Sequence, residues 1–178
     1  MRRRVLPLLG IVFLAALSLA SHAETSDPWS AWKFLVGEWV GGGGGQPGQG
    51  SGSFSFAFDL QKRVLIRRNH AVYPATKDRP AFTHDDLMVV YFEPGSDLAR
   101  AVYFDNEGHV IHYTAEFSNA GQQVTFLSDI KPGVPRFRLI YTRIESGGLG
   151  IKFEIAPPGK PDQFSTYLEG TAQKRKPN

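Results

Sequence analysis

From Ser53 onward the chain alternates. Phe54, Phe56 and Phe58 are separated by Ser55 and Ala57, and a period of two is what a half-buried strand requires, because successive side chains point to opposite faces. Further β-rich runs occupy Val64 to Tyr73, Leu87 to Phe92, Ala99 to Phe104, His109 to Phe117 and Val124 to Ile130. They continue through Phe137, Leu139 and Tyr141, then Leu149 to Ala156 and Phe164 to Thr171. Between them stand turn formers: Glu93-Pro94-Gly95-Ser96-Asp97, Asp105-Asn106-Glu107-Gly108, Asn119-Ala120-Gly121, Gly147-Gly148 and Pro157-Pro158-Gly159. Glycine supplies positive φ, proline a preset φ, and Asn or Asp a local side-chain bond. With Glu38-Trp39-Val40 as the first, this makes about ten strands. No helix-length pattern interrupts them, which argues against a parallel α/β fold. Nearly every strand runs into the next through a hairpin, and closure removes exposed edges. The expected fold is all-β: one antiparallel up-and-down barrel of about ten strands.

Ahead of the strands, Asp27-Pro28 reads as a helix start, with Asp as cap and Pro at the first helical position. Trp29, Trp32 and Val36 recur at helical spacing, predicting a short helix over residues 28–35 that Gly37 ends. Residues 1–23 have the three-part pattern of a secretory signal: Arg2, Arg3 and Arg4, then an apolar run from Val5 to Ala20, then Ser21-His22-Ala23. The apolar run is shorter than the ~20 residues that span a bilayer, so cleavage after Ala23 is expected, with one domain over residues 24–178. The signal carries three of the 20 Lys and Arg and none of the 17 Asp and Glu, which leaves the two signs balanced. That balance argues against nucleic acid or an anionic membrane as partner. The expected location is periplasmic or secreted. With no cysteine in the chain, disulfides, a lipid-bearing cysteine and thiol nucleophiles are all excluded. The glycine-rich tract Gly41 to Gly52 lacks a following Gly-Lys-Ser/Thr and a helix pattern, so it reads as a strand connection and not a phosphate cradle.

Several side chains could carry chemistry. His109 and His112 lie three apart, so on a strand they face opposite ways and cannot share a metal. His109 shares its face with Ile111, Tyr113, Ala115 and Phe117, which places it inside near a barrel mouth, as a turn histidine or a ligand contact. His84-Asp85-Asp86 sits at a strand start, and its successive side chains diverge; it reads as a solvated loop, and no metal site is expected. Tyr141 and Arg143 continue the apolar face of Phe137 and Leu139. An inward arginine needs a partner, and a ligand carboxylate would serve, with the tyrosine adding a donor. The alternative is that Arg143 has reached the strand end and is exposed. Arg68 and His70 share a face with Val64, Ile66 and Val72, while Arg67 and Asn69 take the other, so the register there is open. The candidate ligand contacts are therefore Tyr141, Arg143, His109, Tyr113, Arg68 and His70. No serine elbow is present, and nucleophilic hydrolysis has no support.

The tract Phe34-Leu35-Val36-Gly37-Glu38-Trp39-Val40-Gly41 resembles the opening Leu-x-Gly-x-Trp-x-Gly of the calycins. Tyr103 to Tyr113 is similar to bacterial lipocalin-like domains of unknown function, related to nitrobindin-like and fatty-acid-binding barrels. The resemblance covers roughly residues 30–173. It implies that Trp39 plugs a closed end against a cation, for which Lys174 or Arg175 is available. In nitrobindin-like barrels haem is held by a histidine near the C-terminal strands. No histidine lies beyond His112, so no cofactor is expected by that route, and His109 is the fallback ligand for haem. The expected function is an exported binding protein holding a small apolar ligand with an acidic or polar end. The alternatives are a haem-dependent isomerase and an envelope interaction protein whose barrel is filled by the 12 Phe, 6 Tyr and 3 Trp left after the signal.

Overall fold

A computed structural model describes residues 27–41, 50–145 and 147–176. Residues 1–23, expected to be an export signal, lie outside the described residues. Ten antiparallel strands close into an up-and-down barrel, each paired with its sequence neighbours and the last with the first. They are β1 (Gly37–Gly41), β2 (Ser51–Asp59), β3 (Val64–Tyr73), β4 (Phe82–Phe92), β5 (Ala99–Asp105), β6 (Val110–Ser118), β7 (Gln123–Ser128), β8 (Arg136–Arg143), β9 (Leu149–Ala156) and β10 (Ser165–Lys174). The fold class and strand count are those that the alternation and turns predict. Turn chemistry holds as well: Gly108 takes φ +92° and its N–H donates to the carbonyl of Asp105 at 3.2 Å. The expected helix over residues 28–35 is a single 3-10 segment, Ser30–Phe34.

One end of the barrel is plugged. The 3-10 segment lies across it and buries Trp32, while Trp29, Leu35 and Trp39 are also buried there. Trp29 meets Phe92 edge-on at 4.6 Å between ring centres, and Trp32 meets Phe117 at 4.9 Å. Such edge contacts let a ring's positive rim face its neighbour's negative face. Trp39 donates its indole N–H to the carbonyl of Leu35 at 2.7 Å, so the buried ring carries no unsatisfied donor. The Lys174 Nζ stands 5.5 Å from the Trp39 ring centre, a cation over an aromatic face; Arg175 pairs instead with Glu38 at 3.0 Å. Gly37 is required at this corner. It sits at φ +134°, and a Cβ there would lie 2.5 Å from the Lys174 Cε.

Above the plug, Phe54, Phe56, Phe126 and Tyr141 fill the lower barrel with mutual ring contacts of 5.4 to 6.3 Å. The upper half is not filled.

Candidate functional site

The upper half of the barrel encloses a cavity of about 420 Å³ that opens at the end away from the tryptophan plug. Its two long walls differ chemically. Strands β8 and β9 contribute Phe137, Leu139, Ile151, Phe153 and Ile155, with the Phe137 and Phe153 rings stacked 6.0 Å apart. Strands β3, β4 and β5, with the turn that follows, contribute Arg67, Asn69, His84, Asp86, Tyr103, Asp105, Glu107 and His109.

The polar wall is one connected network. Arg67 pairs with Asp86, and both side chains are nearly inaccessible, at 10% and 3% exposure. Asn69 donates its amide to the second Asp86 oxygen at 2.9 Å. His84 places Nε2 3.3 Å from Asp86 and 3.0 Å from the Tyr103 hydroxyl, and Nδ1 2.9 Å from Glu107. The Tyr103 hydroxyl donates onward to Asp105 at 3.3 Å, and His109 Nδ1 reaches the same carboxylate at 2.8 Å. Register explains the need for so many donors. Asp86 and Asp105 are directly opposed on β4 and β5, and like charges in that relation repel. Arg67, Asn69 and His84 compensate the first; Tyr103, His109 and backbone N–H groups of the turn compensate the second.

The network sets the charge states. The hydrogen bond to Asp86, against a cost of burial and with Glu107 on the other nitrogen, raises the His84 pKa to about 9; at neutral pH it is an imidazolium. Burial opposes the charge on Arg67, but neighbouring Tyr141 and Asp86 hold it more firmly protonated than usual. Burial next to Asp86 and Asp105 pushes Tyr103 well above the ordinary tyrosine range, so it remains a neutral donor. Burial raises Tyr113 in the same way, partly countered by the nearby charge of Arg67. For Asp105 the penalty of burial is outweighed by the bonds from His109, and its pKa falls.

The sequence-derived candidates divide. Tyr113 is buried on β6 and lines the cavity close to Arg67. Tyr141 points inward but lies in the packed layer under the cavity, with burial raising its pKa to about 12 and no hydrogen-bond partner for its hydroxyl among the described residues. His109 lies at the cavity mouth, half exposed, in the turn before β6, with its ring held by Asp105 as a turn histidine would be.

Arg143 is exposed at the closed end of β8, beside Trp39 and Lys174. The face it continues is inward, but Arg143 is the last residue of β8 and its side chain meets solvent at the closed end, so the pairing of Arg143 with Tyr141 as an anchor is corrected. Arg68 and His70 point outward, and His70 pairs with Asp85 on the outer surface at 2.6 Å. The inward register of β3 is Leu65, Arg67, Asn69, Ala71. Leu65 is fully buried and Arg67 finds its counter-charge only on that face; a one-residue slip would strand both. The solvated loop expected at His84 and Asp86 is corrected to strand: β4 starts at Phe82, and residues two apart on a strand share a face. Among the described residues no group of three or more His, Cys, Asp or Glu could hold a metal.

No protein-family model matches the chain, and no curated protein matches it in sequence.

Proposed function

We propose that this barrel is an exported binding module that holds a small amphipathic molecule, its apolar body along β8 and β9 and its acidic head on the polar wall. The observation that carries the reading is the Arg67–Asp86 pair at the wall of an open cavity. A buried ion pair gives little stability over an apolar core of the same volume, so its place opposite an apolar wall supports a recognition role. Asp86 occupies one amino group of the guanidinium. The remaining donors and the neutral Tyr113 hydroxyl suit a carboxylate, which is bound most strongly by charge-assisted and forked contacts. The cavity volume falls in the range of small-molecule sites. The closed ten-strand form and the Trp39–Lys174 contact fit a calycin-like relationship, and the balanced charge fits a small-molecule partner better than nucleic acid.

Calorimetry with octanoic acid and 1-octanol is the direct test. The acid binds more tightly, and replacing the pair together (Arg67→Met with Asp86→Leu) removes most of that preference while the barrel stays folded. Equal affinity of the unmodified protein for acid and alcohol refutes the anchor. Export is checked by intact mass: the secreted chain begins at Glu24.

A second reading rests on His109. Its Nδ1 is held by Asp105 at 2.8 Å, the arrangement that orients a metal-bound imidazole. Haem titration decides this one: a Soret shift lost in His109→Ala favours haem chemistry over simple binding.

A further inference from the structure

The cavity mouth has a second recognition element, separate from the polar wall. β10 breaks register with β9 between Thr166 and Leu168, the one such break among the described strands. A bulge of this kind re-aims a side chain, and here Tyr167 lines the cavity while remaining half exposed, edge-on to Phe153. Across the rim, the Tyr73 and Phe82 rings stack 4.6 Å apart and only 5° from parallel, with the Arg79 guanidinium 4.2 Å above Phe82. Going round the barrel from Tyr167 to Tyr73 means passing β10, β1, β2 and β3. Among the described residues the lining on that path includes four glycines, Gly170, Gly41, Gly52 and Gly50, interspersed with Leu168, Thr171, Ser51 and Ala71.

Those glycines differ in kind. A Cβ at Gly52 would collide with the β3 backbone at 2.3 Å, and one at Gly50 with the Tyr73 ring at 2.6 Å, so there the neighbours take the space. Among the described residues a Cβ at Gly170 would meet nothing within 4 Å, so no described neighbour demands the gap in front of it. That gap is a slot over the Gly170 backbone with aromatic rings on either side of it.

We infer that this slot takes a planar aromatic group, so that the ligand class is a small aromatic acid, its carboxylate at Arg67 and its ring at the glycine face between Tyr167 and Tyr73. The inference rests on the acid-holding reading of the cavity. Rings without Cβ atoms beneath them can lie against the backbone, and aromatic neighbours add to ring contacts beyond the area they cover. An aliphatic ring of the same carbon skeleton is thicker and gains no such contact.

The test uses calorimetry with 2-naphthoic acid, decahydro-2-naphthoic acid and octanoic acid on the mature protein and on Gly170→Leu, with circular dichroism confirming the fold of the variant. The expected result is that 2-naphthoic acid binds about tenfold more tightly than its saturated counterpart. Gly170→Leu abolishes that advantage and leaves octanoic acid within about twofold, because a slim chain on the β8–β9 wall does not use the slot. Tyr167→Ala reduces the advantage, and Tyr167→Phe keeps it. Equal binding of the two bicyclic acids overturns the slot while leaving the acid site standing, and so does a loss of octanoic acid binding in Gly170→Leu. Failure of all three acids to bind the unmodified barrel brings down the acid-holding reading and this inference with it.

Discussion

The two ends of this barrel are built on opposite principles. At the closed end Trp29, Trp32, Leu35 and Trp39 pack against Phe58, Phe92 and Phe117, and the indole N–H of Trp39 is satisfied by the chain itself. The plug itself is packed, and among the described residues no charge is buried in it. At the open end volume is left empty, and a charged pair, a bridging imidazolium and two opposed aspartates line the space. The closed end holds the ring of strands together without a ligand. The open end accepts polar burial that does little for stability, which is the usual mark of a site.

The contrast can be broken most sharply at the plug. Trp39→Ala should lower unfolding free energy by about 3–5 kcal/mol, the cost of truncating a buried aromatic, yet leave the affinity of the remaining folded protein for octanoic acid unchanged. Urea melts and calorimetry read the two effects separately, and a melt midpoint that does not move would remove Trp39 from the plug.

Asp86→Ala comes next. It leaves the Arg67 charge buried without its partner, which costs about 3 kcal/mol, near the low end for such breaks. Here stability and binding should both change, and the double substitution with Arg67→Met should recover much of the stability and none of the acid preference. If stability does not recover, the pair is structural, and the open end serves the scaffold as the closed end does.

A smaller effect belongs to His84. Its pKa is raised from 6.5 to about 9 in the folded protein. The stability it contributes is therefore complete below about pH 6.5 and is lost as pH climbs through about 9. Allowing for solvent screening of a group at the mouth, this is on the order of 1–2 kcal/mol. Thermal melts from pH 6 to 10 should show that decline, and His84→Gln should flatten it. A slope unchanged in the variant would assign the titration to another group.

Smallest is Tyr167→Ala. An exposed residue at a bulge should change stability by less than about 0.5 kcal/mol, with its whole effect on ligand choice. A large loss of stability would make Tyr167 part of the scaffold.

Much of the architecture is legible in the order of residues. Alternation of Phe54, Phe56 and Phe58, turn residues at regular spacing and the lack of helical periods point to a ten-strand closed barrel, because strand formation and hairpin closure are local properties of the chain. The inward direction of Phe137, Leu139 and Tyr141 follows from the same period of two. The site is less legible. On β3 both faces carry apolar and polar residues, so the pattern of Arg67, Arg68, Asn69 and His70 reads equally well in either register. The choice is made by Leu65 in the core and by Asp86, nineteen residues from Arg67 in sequence. His84 and Asp86 alternate with Thr83 and Asp85, and that spacing is the available signal for a polar inner face once β4 is taken back to Phe82. Arg143 carries the right chemistry on the right face but stands last on β8, where its side chain is exposed. By itself, then, the order of residues determined the fold class, the number of strands and their hairpin order, while the Trp39 plug was what the calycin resemblance implied and the start of β4 at Phe82 was missed. Where the charged residues meet, which glycines face empty space and which tyrosine a bulge turns into the mouth were decided by tertiary structure alone, because each depends on pairing between strands whose partners the local sequence does not name.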